Sequence, residues 1–129
     1  TENFDNDRLR KMFLLREAFM RDLSEKIPEA GSADWPLDMT QKKSQKRCRD
    51  LALKGVEEIF ESLTELKNSK SHRVTENTSV DREKFLEEVI DAFNFFLSML
   101  ILAGFTADDV FDAYVKKDAV IHARLDNGY

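Results

Sequence analysis

The chain has 129 residues and a mass of 15.0 kDa, the size of one domain with its own core, so 1–129 reads as a single all-α domain and a multi-domain scheme is not expected. Lys and Arg number 20 against 25 Asp and Glu, a net charge of −5 with pI ≈ 5.1, which argues against a bare nucleic-acid backbone as partner and means that any phosphate it handles needs a cation. With 42% hydrophobic and 35% charged residues but only 4 Gly and 2 Pro, extended disorder is excluded for most of the chain and helices with charged outer faces are expected.

Leu9, Met12, Phe13, Leu15, Phe19, Met20 and Leu23 recur at three- and four-residue steps and predict a first helix from about Asp5 to Lys26, with Phe13 and Phe19 packed inside. No signal peptide is visible at Thr1 to Lys11. Pro28, Gly31, Ser32 and Pro36 make 27–39 an irregular loop that carries Trp35. From Thr40 a basic run leads into Leu51, Leu53, Val56, Ile59, Phe60, Leu63 and Leu66, a long helix expected to end near Lys67. It holds the single cysteine, Cys48, which has no second thiol to pair with and suits a reducing cytoplasm. Residues 68–80 are polar and read as a mobile loop with Lys70, His72 and Arg73. A third helix, expected to be central, starts near Asp81 and runs through Phe85, Leu86, Val89, Ile90, Phe93, Phe96, Leu97, Leu100 and Ile101 to a stop at Gly104. Its apolar stretch is shorter than the roughly 20 residues a bilayer needs, so no membrane partner is expected. Thr106 and Asp109 resemble a capping box that launches a fourth helix through Val110, Phe111, Tyr114, Val115, Val120 and Ile121. Four helices with short connections imply a bundle, and the apolar third helix implies self-association as a homodimer or homotetramer. His72 and His122 lie in no cluster and read as surface residues.

Two acidic patterns stand out. Glu57, Glu58 and Glu61 form Glu-Glu-x-x-Glu on the second helix, and Glu88 and Asp91 form Glu-x-x-Asp on the third. Residues three apart are helix-surface neighbours, so antiparallel packing of the two helices can bring four carboxylates together. Such a group needs a counter-charge, and four oxygen donors suit Mg²⁺ or Mn²⁺ rather than zinc. A ferritin-like di-iron site needs a Glu three residues before a His, which neither His72 nor His122 has. A lone Glu-x-x-Glu is most often a solvated helix face, but Glu88 and Asp91 stand among Phe85, Val89, Ile90, Phe93 and Phe96, where partial burial is expected.

These acids, in this order, resemble the all-α nucleoside triphosphate pyrophosphohydrolases, the MazG-like superfamily that includes the dimeric dUTPases and phage dCTPases. The stretch 114–119, Arg124 and the Gly128-Tyr129 ending are similar to the closing helix of the dUTPase/dCTPase branch, and 91–96 extend the likeness. Asp118 and Ile121 stand where that branch commonly has Asn, Asn94 stands where it has His, and only Lys67 and Lys70 remain of its Trp-Lys-x-Trp-Lys segment. The resemblance implies a four-helix, MazG-like, oligomeric fold and hydrolysis of a deoxynucleoside triphosphate to monophosphate and pyrophosphate. It implies Mg²⁺, or Mn²⁺, on Glu58, Glu61, Glu88 and Asp91, with Glu61 orienting or deprotonating the water and Glu57 either behind the ligands or facing solvent. Lys117 and Arg124, two turns apart, can clamp phosphate oxygens, as can Lys67 and Lys70 from the loop. Trp35, Asn94 and Tyr129 are the candidates for base and sugar. A pyrimidine such as dCTP or dUTP is the expected substrate; a purine or broad house-cleaning activity, or a non-catalytic helical dimerisation module, are the alternatives.

Overall fold

The computed structural model describes residues 6–29, 34–69, 72, 74 and 79–128. It is all-helical, with α1 Arg8–Lys26, α2 Lys42–Ser62, α3 Arg82–Leu102 and α4 Ala107–Asp126, and single 3-10 turns at Leu63–Glu65 and Lys67–Ser69. There is no strand among the described residues, and no single helix is long and apolar enough to cross a membrane. Two compact units form, one from the residues up to Pro36 together with those from Leu100 onward, the other from 37–99.

In the first unit, Asp7 caps α1 by accepting the Arg10 N–H at 3.0 Å; the expected start at Asp5 falls outside the described residues. Phe13 and Met20, two turns apart, are buried. Phe19 is not: it is 47% exposed, because it lies about 100° around the helix from Met20, where the Arg16 guanidinium covers its ring at 4.5 Å. Arg10 Nη2 donates to both Asp108 carboxylate oxygens at 3.2 Å, tying α1 to the start of α4. The last turn of α3 contributes Ile101 and Leu102, both fully buried, and closes through Gly104, whose φ of +95° permits Gly104 N–H to reach the Ile101 carbonyl and Phe105 N–H the Leu100 carbonyl. Space as well as φ demands glycine there, since a Cβ would lie 2.7 Å from Pro36. The expected capping box is present: Asp109 N–H donates to Thr106 Oγ1 at 3.1 Å, and Thr106 N–H to Asp109 Oδ2 at 2.9 Å. The helix runs through the expected residues, and beyond Val110 its apolar side chains Phe111, Tyr114, Val115, Val120, Ile121 and Leu125 are all exposed in the single chain.

In the second unit α2 and α3 form an antiparallel pair. Cys48 Sγ lies 4.0 Å from the Met99 carbonyl, Gly55 lies against the Phe96 ring, and Glu65 pairs with Lys84, so partners fall along α3 as they rise along α2. The contact face of α2 is made of small residues. Ser44, Cys48, Gly55 and Ser62 are buried, while Leu53, Val56, Phe60 and Leu63, part of the periodic apolar series that predicts the helix, are exposed. Opposite them α3 buries Ala92, Leu97 and Ser98. The end of α2 comes earlier than the expected Lys67. Ser62 Oγ donates to the Ile59 carbonyl at 2.6 Å and Thr64 Oγ1 to the Glu61 carbonyl at 2.7 Å, side-chain bonds that compete with the α-helical ladder and leave a 3-10 turn. Asp81, accepting the Lys84 N–H at 3.0 Å, starts α3 where expected.

Candidate functional site

Glu58 has three carboxylates as electrostatic neighbours on α2 and α3. Glu58 and Glu61 are three residues apart on α2, and the antiparallel register brings Glu88 and Asp91 of α3 to them, so that the charges of Glu61, Asp91 and Glu88 all act on Glu58. Glu58 and Glu88 are partly buried, while Glu61 and Asp91 are exposed. Glu88 Oε2 is buried and has no hydrogen-bond partner, a state that costs free energy unless something supplies positive charge or a donor. Among the described residues no three Asp, Glu, His or Cys side chains form a ready-made ligand set. The acids instead surround Glu58 as neighbours, and like-charge repulsion keeps them from closing further on their own.

A proton is the counter-charge that the chain itself can supply. Partial burial of Glu58, then the charge of Glu61 and a hydrogen bond to its carboxylate, then Asp91 and Glu88, push the Glu58 carboxyl above its ordinary range. The protonated form of Glu58 donates to Glu61, whereas its ionised form leaves four like charges side by side. The sign of the linkage follows: the folded chain holds this proton to higher pH than the unfolded chain, so the stabilisation is complete below the ordinary glutamate range and is lost as pH climbs through the raised value. Thermal melts in EDTA from about pH 4 to pH 8 are therefore expected to show a decline that Glu58→Gln flattens, since glutamine keeps the hydrogen bond without the charge. A decline of equal size in both proteins would place the titrating group elsewhere.

Glu57 is exposed at the side of this cluster. Asn94 is partly buried on α3, one turn beyond Asp91, and Lys67 is exposed in the second 3-10 turn. Lys117 and Arg124 are exposed on α4, in the unit that does not contain the acids. Trp35 is partly buried with the Arg21 guanidinium 4.8 Å from its ring centroid, so one face of the indole is already occupied. Lys70 and Tyr129 lie outside the described residues. His72 and His122 are exposed, and His122 Nδ1 lies 2.9 Å from the Asp118 carbonyl.

Two features of this region are not in the sequence reading. Gly55, one turn before Glu58, lets the Phe96 ring approach so closely that a Cβ would lie 2.6 Å from Cε1. Glu65 Oε1 lies 3.5 Å from Lys84 Nζ at the loop end of the helix pair. The spacing of small residues along α2 was the available signal for the first; the second depends on a 3-10 turn that periodicity does not reveal.

No family model and no solved structure matches the chain. Over 59 residues, 46% of this chain, it is 34% identical to a protein of Enterobacteria phage LZ5 named dCTP pyrophosphatase. The relationship is distant and partial. The match spans 34% of that protein's length, about a third of the curated relative.

Proposed function

We propose that this chain is a divalent-cation-dependent nucleoside triphosphate pyrophosphohydrolase that converts a deoxynucleoside triphosphate and water to the monophosphate and pyrophosphate. The observation that carries the reading is the convergence of Glu61, Glu88 and Asp91 on Glu58, with Glu88 Oε2 buried and unpartnered. The partial relationship to a protein named dCTP pyrophosphatase supports it and favours a pyrimidine such as dCTP or dUTP. An all-oxygen donor set that must hold extra negative charge fits Mg²⁺ or Mn²⁺, and Glu58, Glu61, Glu88 and Asp91 would hold the ion. When bound, the cation supplies charge neutralisation of the triphosphate and of the departing pyrophosphate.

Glu61 is exposed at the edge of the cluster, where it can meet water. Its carboxylate accepts a proton from the attacking water as the new phosphorus–oxygen bond forms, the bond between the α- and β-phosphates breaks, and the electron pair leaves with pyrophosphate. Lys117, Arg124, Lys67 and Lys70 are the cations proposed for the phosphates, and Trp35, Asn94 and Tyr129 the residues proposed for base and sugar. Phe60, Leu86, Phe93 and the outward residues of α4 are too apolar to stay in water, so the working form is a homodimer or homotetramer.

Incubation of the chain with each deoxy- and ribonucleoside triphosphate and Mg²⁺, resolving the products, tests the reading. Monophosphate and pyrophosphate from one or a few bases are expected. Products from purines, or from all bases alike, would move the assignment to a purine-directed or house-cleaning enzyme. Silence throughout, with no Mg²⁺-dependent rise in Tm, would leave a helical dimerisation module.

A further inference from the structure

The acid-bearing faces of α2 and α3 continue for one more turn toward the loop, and there the pairing changes sign. Glu58, Glu61 and Glu65 follow at three and four residues along α2 and its 3-10 turn; Lys84, Glu88 and Asp91 follow at four and three along α3. The two spacings mirror each other, as an antiparallel pair requires. The rung beyond Glu61 and Glu88 is therefore Glu65 opposite Lys84, with Oε1 and Nζ 3.5 Å apart. Glu65 has only 13% of its side chain exposed, whereas Lys84 has 57%. A carboxylate so withdrawn from water depends on its partner far more than a surface pair does. It is carried inward by the turn Leu63–Glu65, which is closed by Leu66 N–H donating to the Leu63 carbonyl at 3.0 Å.

We infer that the Glu65–Lys84 pair is a clasp that sets the separation of α2 and α3 at the acid cluster, making both side chains positioning residues for the divalent cation. The inference rests on the proposed metal-dependent reaction. The ionised carboxylates of the cluster push the helices apart, and an opposite-sign pair one turn away opposes that push without itself touching the cation.

The sign of two single substitutions separates a clasp from a through-space charge. If Lys84 acted only as a nearby positive charge, Lys84→Met would tighten cation binding while Glu65→Gln would weaken it. A clasp requires both to weaken it. Binding of Mn²⁺ to the full chain, read by the electron paramagnetic resonance signal of free Mn²⁺, is expected to weaken about tenfold in each variant, the scale seen when partners of metal ligands are removed. The reversed pair Glu65→Lys/Lys84→Glu should return the affinity to within about threefold of wild type. In turnover, the Mg²⁺ requirement should rise by a similar factor, with kcat recovered at saturating Mg²⁺. Lys84→Met binding Mn²⁺ as tightly as wild type, or more tightly, overturns the clasp and leaves the proposed reaction standing; a drop in Tm alone does the same. Failure of the unaltered chain to bind Mn²⁺ overturns the metal-dependent reading and the clasp with it.

Discussion

Glu61→Gln is expected to lower kcat for triphosphate hydrolysis by about 10²–10⁴, the usual contribution of a positioned general base. The substitution is nearly isosteric and the residue is exposed, so the helices should persist with unchanged circular dichroism. Its effect on the reaction has two parts. Glutamine cannot take the proton of the attacking water, and it removes one of the negative charges that would hold the cation. The second role predicts a smaller rise of Tm on adding Mg²⁺, and measuring Tm and kcat together separates the two. A variant that keeps kcat within tenfold of wild type would move the base to another carboxylate, with Asp91, also exposed, the next to examine.

Gly55→Val is expected to destabilise the chain by about 1–3 kcal/mol, the range for overpacking a tight contact. Helix propensity alone would favour valine over glycine by a few tenths of a kcal/mol. Contact geometry decides against it: even a bare Cβ would lie 2.6 Å from Phe96 Cε1 and 2.8 Å from Cζ, and the branched methyl groups add to that clash. The ring must turn aside or α2 and α3 must separate. Separation would be felt one turn along at Glu58, so the loss of stability should be accompanied by weaker Mn²⁺ binding, whereas rotation of the ring alone would leave binding intact. Gly55→Ala provides the intermediate case. Chemical denaturation with Mn²⁺ titration on both variants distinguishes the two responses.

Elements whose boundaries depend on neighbouring residues were legible in the chain. Thr106 and Asp109 form a reciprocal cap, Gly104 ends α3 through a left-handed residue, and Asp81 begins it, each by hydrogen bonds that span three to five positions. The acid pairs were legible for the same reason, because a spacing of three on a helix is a local fact; their meeting depended only on the antiparallel packing of two consecutive helices. Which side of a helix is covered was less legible. Large apolar residues on α2 suggested a face through Leu53, Val56, Phe60 and Leu63, yet the covered side is Ser44, Cys48, Gly55 and Ser62, since small side chains allow the closest approach of α3. Phe19 failed in a related way: periodicity of three and four admits two adjacent stripes, and only packing selects the one through Phe13 and Met20. The Glu65–Lys84 rung was hidden because side-chain bonds from Ser62 and Thr64 end the α-helix before periodicity would.

Cys48 gives the helix pair its own clock. The thiol is the chain's single cysteine, buried, 3.9 Å from Met39 Sδ and 4.0 Å from the Met99 carbonyl, and burial raises its pKa. A thiol reagent meets it only when the base of the α2–α3 pair opens, so the ratio of its alkylation rate to that of a free cysteine reports how often this segment breathes. No label has to be introduced.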